Sequence, residues 1–390
     1  MHSDGLQNEP LRSLERELNG IGLFGVLALL MASVVFAQHS TWLVAGRWLL
    51  LAALVWGYVY RCAHLRLALN CVQAATALYS NLGWANRLTL LRGGLIAATA
   101  GFIVVDERWA LWPAIFYTIA AALDRIDGFV ARRTERESLL GSELDTAFDA
   151  LGLLVAPSLA VLLNKLHLSF LLVSVAYYIF IWALRRRGRL GLPCYELMPN
   201  FLRRSLAGFQ MGFVALALWP IFPAAITQLV GVAFTLPILV GFVVDWLVVS
   251  GRINSQLAQT QRQFKQIEQF SFTVLQPLMR FGLIMTLGVL YTTIQVSTVS
   301  LYLALSGLLA VVFGCFGRLG ALLLLVIVAL EATAYSASFA LQCAVFLSSW
   351  ILLLGTGRFS VWQWDDHWVQ RYDGAAQSAT HASANHKDAR

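Results

Sequence analysis

Charge is what this sequence has least of. Asp, Glu, Lys and Arg make up 13% of its 390 residues, about half the share of a soluble domain. With 58% hydrophobic residues and a mean hydropathy of +0.68, the chain has too little polar side chain to coat a water-soluble fold of this length. Cysteine is scarce as well. Cys62, Cys71, Cys194, Cys315 and Cys343 form no close pair and no metal-ligand spacing, which excludes a disulfide scaffold and a zinc finger. Bases outnumber acids, 28 to 21, but the surplus is spread over short loops that suit anionic headgroups. Nucleic acid is therefore not among the expected partners.

What the sequence has in abundance is apolar runs. Twelve of them approach the roughly 20 helical residues needed to cross a hydrocarbon core. They lie at 21–37, 42–60, 88–105, 109–127, 146–164, 168–184, 205–222, 224–250, 273–293, 297–315, 319–336 and 339–355. The fold class expected is all-α integral membrane. Residues 62–82, bordered or interrupted by Arg61, His64 and Arg66, read as an interfacial helix. Leu11, Leu14, Leu18 and Ile21 recur at helical spacing, so 10–20 reads as a surface helix before the first span. Asp4, Glu9, Glu15 and Glu17 precede that span, which favours a retained helix over a signal peptide. Basic residues gather in alternate connections: Arg61 and Arg66; Arg132, Arg133 and Arg136; Arg185, Arg186, Arg187 and Arg189; Arg203 and Arg204; Arg252, Arg262 and Lys265. The positive-inside rule makes those loops and both termini cytoplasmic.

One stretch breaks the apolar pattern: LDRIDGFVARRTERESLLGSELDTAFDALG, residues 123–152. Asp124 and Asp127 are three apart, Asp145 and Asp149 four apart, so each pair shares a helix face. Two adjacent antiparallel helices would bring all four carboxylates together, where each raises the others' cost of ionisation unless a cation sits among them. Two readings follow. Arg125, Arg132, Arg133 and Arg136 could neutralise the acids in a salt-bridged turn, or a divalent ion could do so. Oxygen-only ligands suit Mg²⁺, Mn²⁺ or Ca²⁺ better than zinc. Gly128 and Ala131 carry little side chain, which lets another molecule approach the backbone.

The complete string is more specific than its acids. Asp124, Asp127-Gly128, Ala131-Arg132, Gly141, Asp145 and Asp149 resemble, at all eight positions and in every interval, the signature of the class I CDP-alcohol phosphatidyltransferase family. NRLTLLR, with Asn86, Thr89 and Arg92, resembles the entry to that family's first core helix, where Asn and Thr contact the nucleotide or its phosphate. RRSLAGFQ resembles its basic-to-Gln segment at Arg204 and Gln210, with Ala207 where a hydroxyl is common. The resemblance implies a six-helix core at 85–250. It implies Mg²⁺ or Mn²⁺, two divalent ions, on Asp124, Asp127, Asp145 and Asp149, with Asp149 as general base. It also implies a substrate site of Asn86, Thr89, Gly128, Ala131, Arg132, Gly141, Arg203 and Arg204. The activity implied moves a phosphatidyl group from a CDP-activated lipid, CDP-diacylglycerol being the expected donor, to an alcohol with release of CMP.

Around that core the expected layout is an N-terminal extension, 1–84, with two spans; a polar linker, 251–271; a four-span membrane domain, 272–373; and a disordered tail, 374–390. The ending LLGTGRFSVWQWDDHW resembles the G-x-G-R-x-S close of DoxX-like membrane proteins, departing from it at Val361 and Trp362. Glu331, an acid within the C-terminal half, is either functional or hydrogen-bonded to a Ser or Thr on another helix. The basic segment at 185–204 is either an ordinary positive-inside loop or a pocket for a phosphorylated acceptor such as glycerol 3-phosphate or an inositol phosphate; serine, or a CDP-amino-alcohol donor, is the alternative. Expected partners are the donor, the acceptor and membrane lipids, with a homodimer left open, at the cytoplasmic face of a bacterial inner membrane. Twelve spans with both ends inside also describe a secondary transporter, although here the acids crowd one rim and the halves are dissimilar.

Overall fold

The computed structural model describes residues 3–73, 77–195, 201–254, 257–293, 297–331 and 338–362. The tail at 374–390 lies outside them. The described residues are helices and their connections, with no strand beyond one isolated bridge, Cys315 to Trp362. In chain order the helices are α1 (Ser3–His39), α2 (Trp42–His64), α3 (Gly83–Gly101), α4 (Leu111–Arg133), α5 (Leu139–Leu162), α6 (Leu171–Arg189), α7 (Phe201–Ala217), α8 (Ala224–Val249), α9 (Ala258–Phe270), α10 (Gln276–Thr293), α11 (Thr298–Phe313), α12 (Gly317–Leu330) and α13 (Phe339–Leu354).

Each of the twelve apolar runs overlaps a helix, but among the described residues seven helices are long and apolar enough to cross a membrane. They are α1, α2, α3, α5, α6, α8 and the continuous helix through α9 and α10. The charges of the signature disqualify α4. The described apolar stretch of α7, Gly208–Ala217, and α11, α12 and α13 are too short. α11 is stopped at Gly314, whose φ of 60° places it in the left-handed region.

Two expectations near the N-terminus are corrected. The surface helix at 10–20 does not form separately, because α1 runs unbroken for 37 residues, about 55 Å at 1.5 Å per residue. Among the described residues of 62–82, the expected interfacial helix is replaced by the end of α2, a 3-10 turn at Leu67–Leu69 and non-helical chain at 70–73 and 77–82. Asn70 explains this. Its side chain is fully buried; its Nδ2 donates to Asn81 O at 3.0 Å and its Oδ1 accepts from Asn86 Nδ2 at 3.1 Å. Those tertiary bonds fold the segment back on itself rather than along a surface.

The chain forms two compact units, one of residues 1–165 with 211–220, the other of 166–210 with 221–390. In the first, α3 is the central helix, against which α2, α4 and α5 all pack. Glu17 of α1 ties α3 down at its start: its carboxylate pairs with Arg87 at 2.7 Å and accepts the Leu82 N–H at 2.9 Å. The segment at 211–220 joins this unit through Trp219, whose Nε1 donates to Thr118 Oγ1 at 3.0 Å.

In the second unit α8 packs against α6 and α13, and Trp350 Nε1 donates to Ala233 O at 3.1 Å. Packing therefore runs across the linker expected at 251–271, where α9 continues into α10 through a π-helical segment, Ser271–Leu275. A π segment frees a carbonyl, and Phe272 O accepts from Arg358 N at 3.0 Å. Two buried arginines cap helix C-termini, where the macrodipole favours a cation. Arg280 donates to Val312 O, to Thr356 O at 3.1 Å and to Arg358 O at 3.0 Å. Arg318 donates to Leu352 O and Leu353 O. Glu331 accepts from the Ser300 hydroxyl, the interhelical bond that was one of its two readings.

α11 and α12 cross at Gly307 and Gly320, so close that a Cβ on Gly320 would lie 2.7 Å from Gly307 O. Small residues at a crossing allow such backbone approach. Gly320→Leu should cost about 1–3 kcal/mol of overpacking, read as a lower melting temperature of the purified protein. An unchanged melting temperature would mean that the crossing is looser than this.

Candidate functional site

Helix geometry explains how residues far apart in the chain meet. At 1.5 Å per residue, Thr89 and Arg92 lie about 9 and about 14 Å from the start of α3. Asp145 and Asp149 lie about 9 and about 15 Å from the start of α5, while Asp127 and Asp124 lie about 9 and about 14 Å from the end of α4. Because α4 and α5 both pack on α3, two levels form. The outer one pairs Thr89 with Asp127, and the inner one gathers Asp124, Asp145 and Asp149 about Arg92. The acids thus sit two or three turns inside the helices rather than at their ends.

At the outer level the Thr89 hydroxyl donates to Asp127 Oδ2 at 2.7 Å, and Asp127 is 6% exposed. At the inner level a fully buried guanidinium takes the centre. Arg92 Nη1 lies 2.6 Å from Asp124 Oδ1 and 2.7 Å from Asp145 Oδ1, and its Nη2 pairs with Asp149 Oδ1. One carboxylate oxygen from each of Asp124, Asp145 and Asp149 falls within 4.8 Å of the others. The Asp145 and Asp149 side chains are half exposed, at 50% each, so the cluster opens on one side.

This corrects the two-helix picture. The carboxylates converge around α3, and the cation between them is neither Arg125 nor one of the turn arginines. The Arg136 guanidinium instead donates to Asn81 Oδ1 at 2.9 Å and stacks over Tyr79. Arg92 lies in the string NRLTLLR but had been given no role. The signal available was the recurrence of Asn86, Thr89 and Arg92 at i, i+3 and i+6, which puts all three on one face of an apolar helix.

The remaining expected residues occupy distinct places. Asn86 Nδ2 donates to Leu82 O at 2.9 Å and lies 3.1 Å from Asn70 Oδ1 and 3.2 Å from Ser138 Oγ. Ser138 N-caps α5 by accepting the Gly141 N–H at 3.0 Å. Gly141 is therefore in the first turn of α5, and a Cβ there would meet Asn86 Oδ1 at 2.8 Å. Asn86 and Gly141 together set where α5 begins, and with it the depth of Asp145 and Asp149. A Cβ added at Gly128 on α4 would meet only the end of the Arg132 side chain, with Nη1 nearest at 3.3 Å. Ala131 is half-buried and Arg132 exposed. Arg203 and Arg204 lie on the first turn of α7, but their side chains fall outside the described residues.

The donor set fits hard divalent cations. It is all oxygen, and four carboxylates against one guanidinium leave a formal excess of three negative charges at the site. Residues 82–237, which contain the whole signature, match the family model for CDP-alcohol phosphatidyltransferase. Residues 82–237 thus form a CDP-alcohol phosphatidyltransferase domain, which supports a transferase of phospholipid synthesis, in a chain whose described residues include seven helices long and apolar enough to cross a membrane. Such enzymes transfer a phosphatidyl group from a CDP-alcohol to an acceptor. No curated protein and no solved structure matches the chain.

Thr89 gives a direct check on the outer level. Thr89→Val keeps the shape and removes the donor to a buried carboxylate, at a cost of about 1–3 kcal/mol. The melting temperature should fall, and Thr89→Ser should restore it. Equal stability of all three proteins would mean that the Thr89–Asp127 bond carries no weight.

Proposed function

We propose that the protein transfers the phosphatidyl group of CDP-diacylglycerol to an alcohol and releases CMP, using the carboxylates of α4 and α5 at the cytoplasmic face. The observation that supports this reading most is the convergence of Asp124, Asp145 and Asp149 within 4.8 Å, one level from Asp127. Two divalent ions, Mg²⁺ or Mn²⁺, when bound, neutralise the donor's diphosphate and stabilise the departing CMP. Asp124, Asp127, Asp145 and Asp149 are the residues that would hold them.

The chain's own residues do the rest. An alcohol attacks phosphorus poorly until its proton is taken. Asp149 takes that proton: its side chain is half exposed, so an acceptor hydroxyl can reach it. The acceptor oxygen bonds to phosphorus as the bond from phosphorus to the CMP oxygen breaks, and Asp149 later returns the proton to solvent. Gly128, with Ala131 and Arg132, forms the floor on which the nucleotide rests, because only the Arg132 guanidinium lies near the space above it. Arg132 then meets a donor phosphate. Asn86, Thr89 and Gly141 act by placing α5 and Asp127. Arg203 and Arg204 enter this reading from the family resemblance alone, as phosphate ligands. The basic loops, read by the positive-inside rule, support a reaction on the cytoplasmic side.

CMP release from CDP-diacylglycerol by purified protein, with glycerol 3-phosphate, an inositol phosphate and serine as separate acceptors, tests the reaction and names the acceptor. EDTA should abolish release and Mg²⁺ or Mn²⁺ restore it. Asp149→Asn should lower turnover by roughly 100-fold, the scale of a positioned base, while nucleotide binding persists. Full activity after exhaustive chelation would remove the metals from the account, and normal turnover by the asparagine variant would remove the base.

A further inference from the structure

The proposed metal reading raises a question of charge: what holds four aspartates together before any ion arrives? We infer that Arg92 is a resident counter-ion, and that divalent cations must displace its guanidinium from Asp124, Asp145 and Asp149 to load the site. This inference rests on the metal reading and concerns how that site fills.

Three observations carry it. Arg92 Nη1 bridges Asp124 Oδ1 and Asp145 Oδ1, and Nη2 takes Asp149 Oδ1. The guanidinium thus engages the three carboxylates whose oxygens lie close enough to share one ion. Each of those oxygens keeps a second lone pair, but an ion shared by all three would take the space that the guanidinium fills and lie against its positive charge, so loading requires the guanidinium to leave. Second, Arg92 is fully buried and makes no ion pair besides these three among the described residues. Its charge has no other role there than to balance the cluster. Third, its Nε is a buried donor with no partner. A buried polar atom without a bond is rare in a settled structure, and here it marks a guanidinium fitted to the carboxylates by one edge only. Withdrawing that edge gives up no bond at Nε.

Arg92 is a positioning residue in this account. It keeps mutually repelling carboxylates at binding distance in the ion-free protein and competes with the ions once they are present. Both effects can be read without turnover. The test is Mn²⁺ binding to the full-length protein in metal-free detergent, followed by the electron paramagnetic resonance of free Mn²⁺, with thermal unfolding in parallel. Arg92→Met should melt lower than wild type without metal and bind Mn²⁺ more tightly, on the order of tenfold or more, because a unit charge close to a divalent ion has been removed. Mn²⁺ should also raise its melting temperature more than it raises that of the wild type.

Equal or weaker Mn²⁺ binding by Arg92→Met, with tight binding by the wild type, would overturn the inference and leave the metal site standing. If neither protein binds Mn²⁺, the metal reading itself fails, and the inference with it. Recovery of folded Arg92→Met only when Mn²⁺ is present would support the competition. Should that variant not fold even then, Arg92→Lys decides: its ammonium cannot span three carboxylates, so its Mn²⁺ affinity should rise above wild type. An unchanged affinity would overturn the proposal.

Discussion

The ion pairing of one buried guanidinium with three aspartates is the interaction on which the rest of the first unit depends. A charge withdrawn from water is costly unless its partners surround it, and inside a membrane-spanning helix the cost is larger still. Arg92 is fully buried, so α3 can adopt its central place only if α4 and α5 bring carboxylates to the right depth. The dependence is mutual. Without Arg92 the three carboxylates, with oxygens within 4.8 Å of one another, would drive α4 and α5 apart.

Much of the surrounding structure adjusts that depth. Glu17 holds the start of α3 through Arg87 and the Leu82 N–H. Asn70, Asn86 and Ser138 link the loop after α2 to α3 and to the N-cap of α5. Gly141 is small enough to let Asn86 sit against α5. A shift of α5 by one residue, about 1.5 Å of rise and 100° of rotation, would carry Asp145 and Asp149 away from Arg92. The N-terminal extension therefore supports the catalytic domain, since Glu17 and Asn70 both precede the family match at 82–237. The open side at Asp145 and Asp149 leaves the chemistry a way in.

How far the sequence revealed all this follows from the range of each interaction. The four aspartates were legible because i, i+3 and i, i+4 spacing is local, and because the signature string fixes their identity. The apolar runs were legible as helices for the same reason, though not which of them are long enough to span. That depends on where Gly314 and similar breaks fall and on how much charge α4 can carry. Arg92 was visible but unassigned, since its partners Asp124, Asp145 and Asp149 lie 32, 53 and 57 residues away and nothing local shows what will face it. The loop at 62–82 was misread because Asn70 acts through Asn81 and Asn86, contacts that hydrophobic periodicity does not register.

The central claim is that one cluster of oxygens serves first the guanidinium and then the ions. A structure of the Mn²⁺-loaded protein, with anomalous scattering used to locate manganese, tests this most directly. The account predicts manganese within ligand distance of Asp124, Asp127, Asp145 and Asp149, and an Arg92 side chain withdrawn from all three carboxylates it now holds. Manganese bound elsewhere, or bound there with Arg92 still bridging Asp124 and Asp145, would contradict it.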